Sequence, residues 1–133
     1  MTSALVAARA AALAHYRAQL STEVLDRAPL RFALPYFALI EGQQVRDRLN
    51  KRAVAFTVRL TFQLVSDPHD AGAAPSDTLI DAFDAASEAV LDLSAGGFSV
   101  REQYIEEIAP FTDADERGAE LHKTDITLLI EIR

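Results

Sequence analysis

Val54-Ala55-Phe56-Thr57-Val58-Arg59-Leu60-Thr61-Phe62-Gln63-Leu64 alternates apolar and polar side chains along its whole length. Period two of this kind marks a β-strand with one buried and one wet face. At about 3.3 Å per residue the run spans roughly 36 Å. That is longer than a compact core of this size requires, so part of it is expected to project as a hairpin arm. The strand decides the fold, because its neighbours must cover one face and leave the other to solvent or to a partner.

Upstream, Pro35 opens a second strand, Tyr36-Phe37-Ala38-Leu39-Ile40, whose unbroken apolarity implies cover on both faces. Gln43 to Asn50 reads as a polar connection between the two strands, with Lys51 and Arg52 directly after it. Residues 23–34 are mixed and hold a short strand near Val24–Leu25; Pro29 breaks any longer element. Residues 4–20 read as a helix. Leu5, Val6, Leu13, Tyr16 and Leu20 recur at helical spacing, and the alanines from Ala7 to Ala14 favour the state intrinsically.

Downstream, Asp67 to Pro75 is a loop by composition. Ser76 or Asp77 can cap a second helix, which is expected to run to about Leu93 with Leu79, Phe83, Ala86, Val90 and Leu93 packed on the sheet. Gly96-Gly97 ends that segment. Phe98 to Ile108 is a weaker strand, because Glu102, Glu106 and Glu107 interrupt its alternation; this predicts an edge position or a bulge. Asp113 to Gly118 is a hairpin-type turn, and Glu120 to Arg133 a last strand with Ile126, Leu128, Ile130 and Ile132 on one face. The expected fold is therefore α+β, an antiparallel sheet with two main helices packed on one face, in the order α-β-β-β-α-β-β.

The 133 residues are expected to form a single domain, 1–133. Half are apolar and a quarter charged, which is ordinary globular composition. There is no cysteine, so disulfides, thiolate metal sites and cysteine catalysis are excluded. The uncharged run Met1 to Ala8 is too short to span a bilayer and lacks the basic flank of a signal peptide, so a soluble protein made in a cytoplasm is expected.

Charge is divided along the chain. Residues 1–66 carry nine Lys/Arg against four acids, net +5, and residues 67–133 carry four against sixteen, net −12, which together give the −7 of the whole. A net acidic chain is a poor general binder of nucleic acid, whose affinity rests on neutralising phosphates. On a helical wheel Asp77, Asp81, Asp84, Glu88 and Asp92 fall in one narrow stripe. Like charges at i,i+4 cost a few tenths of a kcal/mol per pair. Two readings of the stripe stand: a solvated face tolerated because the apolar side is strong, or a surface against which a neighbour's basic patch rests. Arg46, Arg48, Lys51 and Arg52 form the available basic patch.

Catalytic and metal motifs are not found. His15, His69 and His122 share no spacing, and Asp67-x-His69-Asp70 lacks the partners of a fixed zinc or calcium motif. Asp113, Asp115 and Glu116 begin like a calcium loop with Gly118 at the sixth position, but Lys123 and Thr124 stand where the bidentate Glu belongs. Gly96-Gly97 precedes a strand rather than a helix and makes no phosphate loop.

The chain resembles the small tail-terminator or tail-completion proteins of long-tailed bacteriophages and gene transfer agents. The likeness covers nearly the whole sequence. It lies in an Ala-rich amphipathic helix, then Leu34-Pro35-Tyr36 leading into Phe37-Ala38-Leu39-Ile40-Glu41-Gly42, and a polar loop before the long alternating strand. A helix of the Asp81-Ala82-Phe83 to Leu91 kind follows, then the small-residue turn Ala95-Gly96-Gly97 and a closing hairpin with a charged tip. The loop Asp67–Pro75 is longer and more proline-bounded than that pattern. The resemblance implies structural work with no catalysis, no cofactor and no membrane. It implies a ring, commonly of six copies, that caps the head-proximal end of the tail tube and stops its polymerisation. Such a ring docks the head–tail connector protein on one side and the tail-tube protein on the other, and lets DNA pass through its channel unbound. The implied place is the tail or neck of the virion, after assembly in the host cytoplasm. A head–tail connector or other neck protein fits the same features. A more distant alternative is a small α+β ligand-binding domain with a pocket between helix and sheet, for which Tyr16, Tyr36 and Tyr104 are the polar lining available.

Overall fold

The computed structural model describes residues 3–48, 54–67 and 76–133. Its elements are α1 (Ala4–Gln19), β1 (Glu23–Leu25), β2 (Tyr36–Arg48), β3 (Val54–Ser66), α2 (Ser76–Ala86), a 3-10 turn (Ser94–Gly96), β4 (Val100–Ala114) and β5 (Glu120–Ile132). This is the expected α+β order. The five strands form one sheet in the order β1-β2-β3-β5-β4, antiparallel throughout except for the short β1, which runs parallel to β2.

The alternating strand β3 is the centre of the sheet. Its register with β5 sets Val58, Leu60 and Phe62 opposite Ile130, Leu128 and Ile126, and all six are fully buried. Each such side chain contributes roughly 1.5–3 kcal/mol on leaving water. Phe37 and Leu39 of β2 extend the same face, and both helices pack over it. The opposite face carries no helix.

The helix face of α1 differs from expectation. Its fully buried residues are Ala4, Ala8, Ala12 and Tyr16, at i,i+4 spacing, while Val6 is 55% exposed and Leu5, Leu13 and Leu20 lie at the margin of the core. Alanine places only a methyl group between helix axis and sheet, so α1 rides close to the strands. Gly42 of β2 belongs to that approach, since a Cβ there would come within 3.0 Å of Leu5 Cδ1. The Ser3 hydroxyl caps the helix by accepting the Val6 N–H.

Three boundaries also differ. The polar connection expected from Gln43 is strand: Gln43–Arg48 pairs residue by residue with Val54–Arg59, so β2 and β3 form one long hairpin. Ile40 is exposed beside the bulge between Leu39 and Glu41, so β2 is not covered on both faces as its apolarity suggested. The second helix stops at Ala86, about two turns short of Leu93. Val90, expected to pack on the sheet, is 62% exposed, whereas Leu91 and Leu93 are buried. The strand expected over Phe98–Ile108 is β4, which begins at Val100, lies at the sheet edge, bulges twice, and continues to Ala114. In the β4–β5 turn the Asp115 carboxylate accepts the N–H groups of Arg117 and Ala119, and Gly118 takes φ +80°.

Enlarging the contact face of α1 should be costly and enlarging its outer face should not. Ala8→Leu is expected to lower stability by about 1–3 kcal/mol and Val6→Leu to leave it within about 0.5 kcal/mol, measured as shifts of the urea unfolding midpoint.

Candidate functional site: the charged sides of the sheet

Chain order and sheet order coincide in one respect that gives the molecule a charge polarity. Residues 1–66 build α1 and the neighbouring strands β1, β2 and β3, whereas residues 67–133 build α2 and the other two strands, β5 and β4. The strands of the +5 and −12 halves of the sequence therefore occupy two sides of one sheet. Helix α2 spans both sides: its start borders β4, and its Phe83 packs on Phe37 of β2 and Phe62 of β3. Ser76, Asp77 and Ile80 line a groove with Pro110, Phe111 and Thr112 of β4, and Gln103 of β4 holds the segment following the helix.

The candidate residues are only partly brought together. Asp77, Asp81 and Asp84 lie exposed on α2. Glu88 is in the turn after the helix and Asp92 is beyond it, so the five acids do not form one helical stripe. The Asp92 carboxylate accepts the Ser94 N–H at 3.0 Å, and its hydrogen bonding to Ser94 lowers its pKa. Arg46 is on the helix-facing side of β2, its guanidinium carbon 6.0 Å from the ring centroid of Phe56. Arg48 is the last residue of β2, at the end of the long hairpin, and Lys51 and Arg52 lie outside the described residues.

The segment between α2 and β4 is tied down by hydrogen bonds although it is not helical. Gln103 Nε2 donates to the carbonyls of Ser87 and Ala89 at 3.0 Å each, and its Oε1 accepts the Leu91 N–H at 2.9 Å. Sequence gave no sign of this, because a lone glutamine on a strand has no pattern.

The helix-free face carries polar pairs that the alternation of β3 marked as wet without identifying their partners. Arg59 donates to both carboxylate oxygens of Glu106, at 2.8 and 3.2 Å, and Lys123 reaches Asp113 at 2.8 Å. Hydrogen bonds from these cations hold both carboxyl groups below their usual range. Gln63 donates to Asp125 and the Thr61 and Thr127 hydroxyls meet at 3.2 Å. The histidines take structural parts: His15 Nε2 donates to the Ala86 carbonyl at 2.7 Å, and His122 is 3.8 Å from Glu120. Among the described residues no group of three His, Asp or Glu side chains is placed to hold a metal ion, and no helix is long and apolar enough to cross a membrane.

No protein-family model and no curated protein sequence matches the chain. Among solved structures, it is similar to a chain of the "Virion of native gene transfer agent (GTA) particle", with a TM-score of 0.64 and 18% sequence identity over 98% of each chain. At that identity the likeness is one of fold, and any function has to be argued from the residues.

The three tyrosines that a ligand-binding reading needs do not converge. Tyr16 is in the core, stacked on Phe83 at 4.2 Å and edge-on to Phe62, with its hydroxyl bonded to Ser87 Oγ at 2.7 Å. Tyr36 lies under the loop after β1, and Tyr104 is on the edge strand β4. Burial pushes the Tyr16 pKa up to about 12, with the Ser87 hydrogen bond opposing it. The unfolded chain releases this proton near pH 10, so the contribution of Tyr16 is complete below pH 10 and lost as pH rises toward 12. At about 1.4 kcal/mol per unit, the stability difference between wild type and Tyr16→Phe should shrink by about 2–3 kcal/mol between pH 9 and pH 12, read from urea unfolding at each pH.

Proposed function

We propose that this chain is a structural subunit of a bacteriophage or gene-transfer-agent virion, of the tail-terminator kind. The observation that carries the reading is the likeness of fold along the full length of both chains to a chain of a gene transfer agent virion. The polarity of charge across the sheet supports it. A contact between two different patches is heterologous, and it closes into a ring when the rotation permits. In the proposed ring of six, the basic end of the β2–β3 hairpin, with Arg46, Arg48, Lys51 and Arg52, reaches toward the acidic side of a neighbour. There Asp77, Asp81 and Asp84 lie on α2, with Glu88 and Asp92 close behind. Long-range attraction orients the copies, while apolar contact at the centre of the interface supplies affinity. The ring caps the tail tube at its head-proximal end and offers the connector a docking surface, and DNA passes through without specific binding. Its place is the tail or neck of the virion, after assembly in the host cytoplasm, and this work asks for no enzyme chemistry and no cofactor.

Mixing the purified protein with tail-tube subunits under polymerising conditions tests the role. Closed rings at one end of shortened tubes, seen by negative-stain electron microscopy, are the expected outcome. Tubes that elongate unchanged and bear no cap would overturn the terminator reading. Rings that bind connector but leave tube length unaltered would place the subunit in the neck instead.

The charge pairing has its own test. Arg46→Glu, Arg48→Glu and Arg52→Glu together should keep the far-ultraviolet spectrum and melting temperature of the wild type. Light scattering behind gel filtration at low salt should then show a smaller assembly. A triple variant that assembles like wild type would remove these cations from the interface.

A further inference from the structure

Two apolar features remain without a partner inside the molecule. The first is Leu30, in the irregular segment between β1 and β2, which is 96% exposed. It stands between Arg27 and Arg31 and directly after Pro29. Arg27 has Asp26 at 3.9 Å, both well exposed, and Arg31 makes no ion pair among the described residues. A leucine held almost wholly in water is ordinary when scattered on a surface, but here Phe32, also exposed, extends the patch. Pro29 fixes one backbone angle beside it, which lowers the entropy lost when the loop is ordered at an interface.

The second feature is the groove of about 260 Å³ between the start of α2 and the strands β4 and β5. Ile80 and Pro110 give it an apolar wall, and Asp77 stands at its rim, while the exposed Phe111 side chain shares the helix-free face with Lys123. Asp81 follows one turn along α2, exposed. The Lys123 ammonium is engaged by Asp113 at 2.8 Å on the helix-free face, and His122, which lines the groove, is 3.8 Å from Glu120. The charge left facing outward is thus that of the helix aspartates. A volume of this size admits a four-carbon side chain, given that one water occupies about 30 Å³.

We infer that Leu30 of one copy seats in the Ile80–Pro110 groove of the next copy, with Arg27 and Arg31 set against Asp77 and Asp81. Two observations favour a second copy as the occupant. The charges are complementary, two arginines flanking the apolar knob and two aspartates at the groove. The two features also lie at the same end of the sheet but on opposite faces of it: Tyr36 and Val65 on the Leu30 side belong to one cross-strand row, and Thr124 and Pro110 under the groove to the next, which faces the other way. The Leu30 loop lies with Tyr36, Val65 and Leu121 on the helix-free face, while the groove opens beneath α2. The sheet separates knob and groove within one molecule, so their contact joins different patches of two copies. The inference rests on the ring-forming reading for its closure, and it names an apolar anchor that the hairpin cations do not supply.

The absence of cysteine in the chain makes the contact directly readable. Leu30→Cys and Asp77→Cys are made singly, mixed at equal concentration and oxidised. A disulfide-linked dimer from the mixture, absent from either variant alone, is the expected result, and the double variant should give a ladder ending at a closed species. Leu30→Asp, at a position too exposed to hold the fold, should keep the wild-type melting temperature and weaken self-association at least tenfold by sedimentation equilibrium. If wild type and Leu30→Asp associate equally and the cysteine mixture gives no dimer, the contact is overturned while the ring reading stands. If the wild type stays monomeric at millimolar concentration and no cross-link forms, the contact is likewise overturned, and the tube-capping experiment alone decides the ring.

Discussion

The arrangement of this molecule depends on how α1 ends α2. Tyr16 stacks on Phe83, and its hydroxyl reaches Ser87, whose own hydroxyl donates to the Phe83 carbonyl at 2.7 Å. One residue earlier on α1, His15 takes the Ala86 carbonyl. The Phe83 carbonyl keeps its helical partner, the Ser87 N–H at 3.0 Å, and takes the Ser87 hydroxyl besides, whereas the Ala86 carbonyl, which a longer α2 would have bonded to its own following N–H, is satisfied by His15. The helix stops there, and the chain can turn so that Leu91 and Leu93 reach the core. The same contact stacks aromatic rings of both helices on Phe62 and Phe37 of the sheet. Such pairs contribute about 0.5–1.5 kcal/mol beyond the area they bury.

That dependence explains why some of the fold was legible in the sequence and some was not. The β3 strand could be read because burial on one face imposes period two on the chain itself. The final strand and the Asp115 turn were legible for equally local reasons. The end of α2 is set by residues seventy positions away, so the helical wheel continued past Ala86 and assigned Glu88, Val90 and Asp92 to faces of a helix that is not there. The error on α1 has a different origin. Hydropathy ranks leucine and valine above alanine, but close approach to the sheet selects the smallest side chain, and Ala4, Ala8 and Ala12 win the contact. The polar stretch Gln43–Arg48 became strand because β3 continues beside it. Pairing with a neighbour satisfied its backbone where its own side chains gave no apolar signal.

For the candidate surfaces, composition was more informative than motif. The split of charge along the chain was visible at once, yet its meaning depended on topology. Had β4 or β5 inserted between β1 and β2, the two halves would have been mixed across the sheet. Because the order is β1-β2-β3-β5-β4, the strands of the two halves stay apart, although α2 packs on β2 and β3 and the Asp115–Arg117 turn meets the loop after β1. The pairs Arg59–Glu106 and Lys123–Asp113 show the limit of the inference. They cancel cations against acids within the helix-free face, so the charge available to a partner is less than the formal count.

The geometry of charge also limits how copies can meet. A two-fold symmetric contact sets a patch against its own copy. Made through the α2 side, it would bring Asp77, Asp81 and Asp84 toward their equivalents. Made through the β1–β2 side, it would oppose Arg27, Arg31 and the hairpin cations to themselves. Like charges brought together at an interface cost several kcal/mol, and salt relieves this mainly beyond a separation of about 8 Å at physiological ionic strength. A head-to-tail contact avoids the penalty at each interface and leaves one patch of each kind free on every growing chain. Such a chain either continues as a filament or closes on itself. Closure leaves neither patch exposed, and a two-fold contact does the same only across a face that holds both patches, where the basic patch of each copy meets the acidic patch of the other.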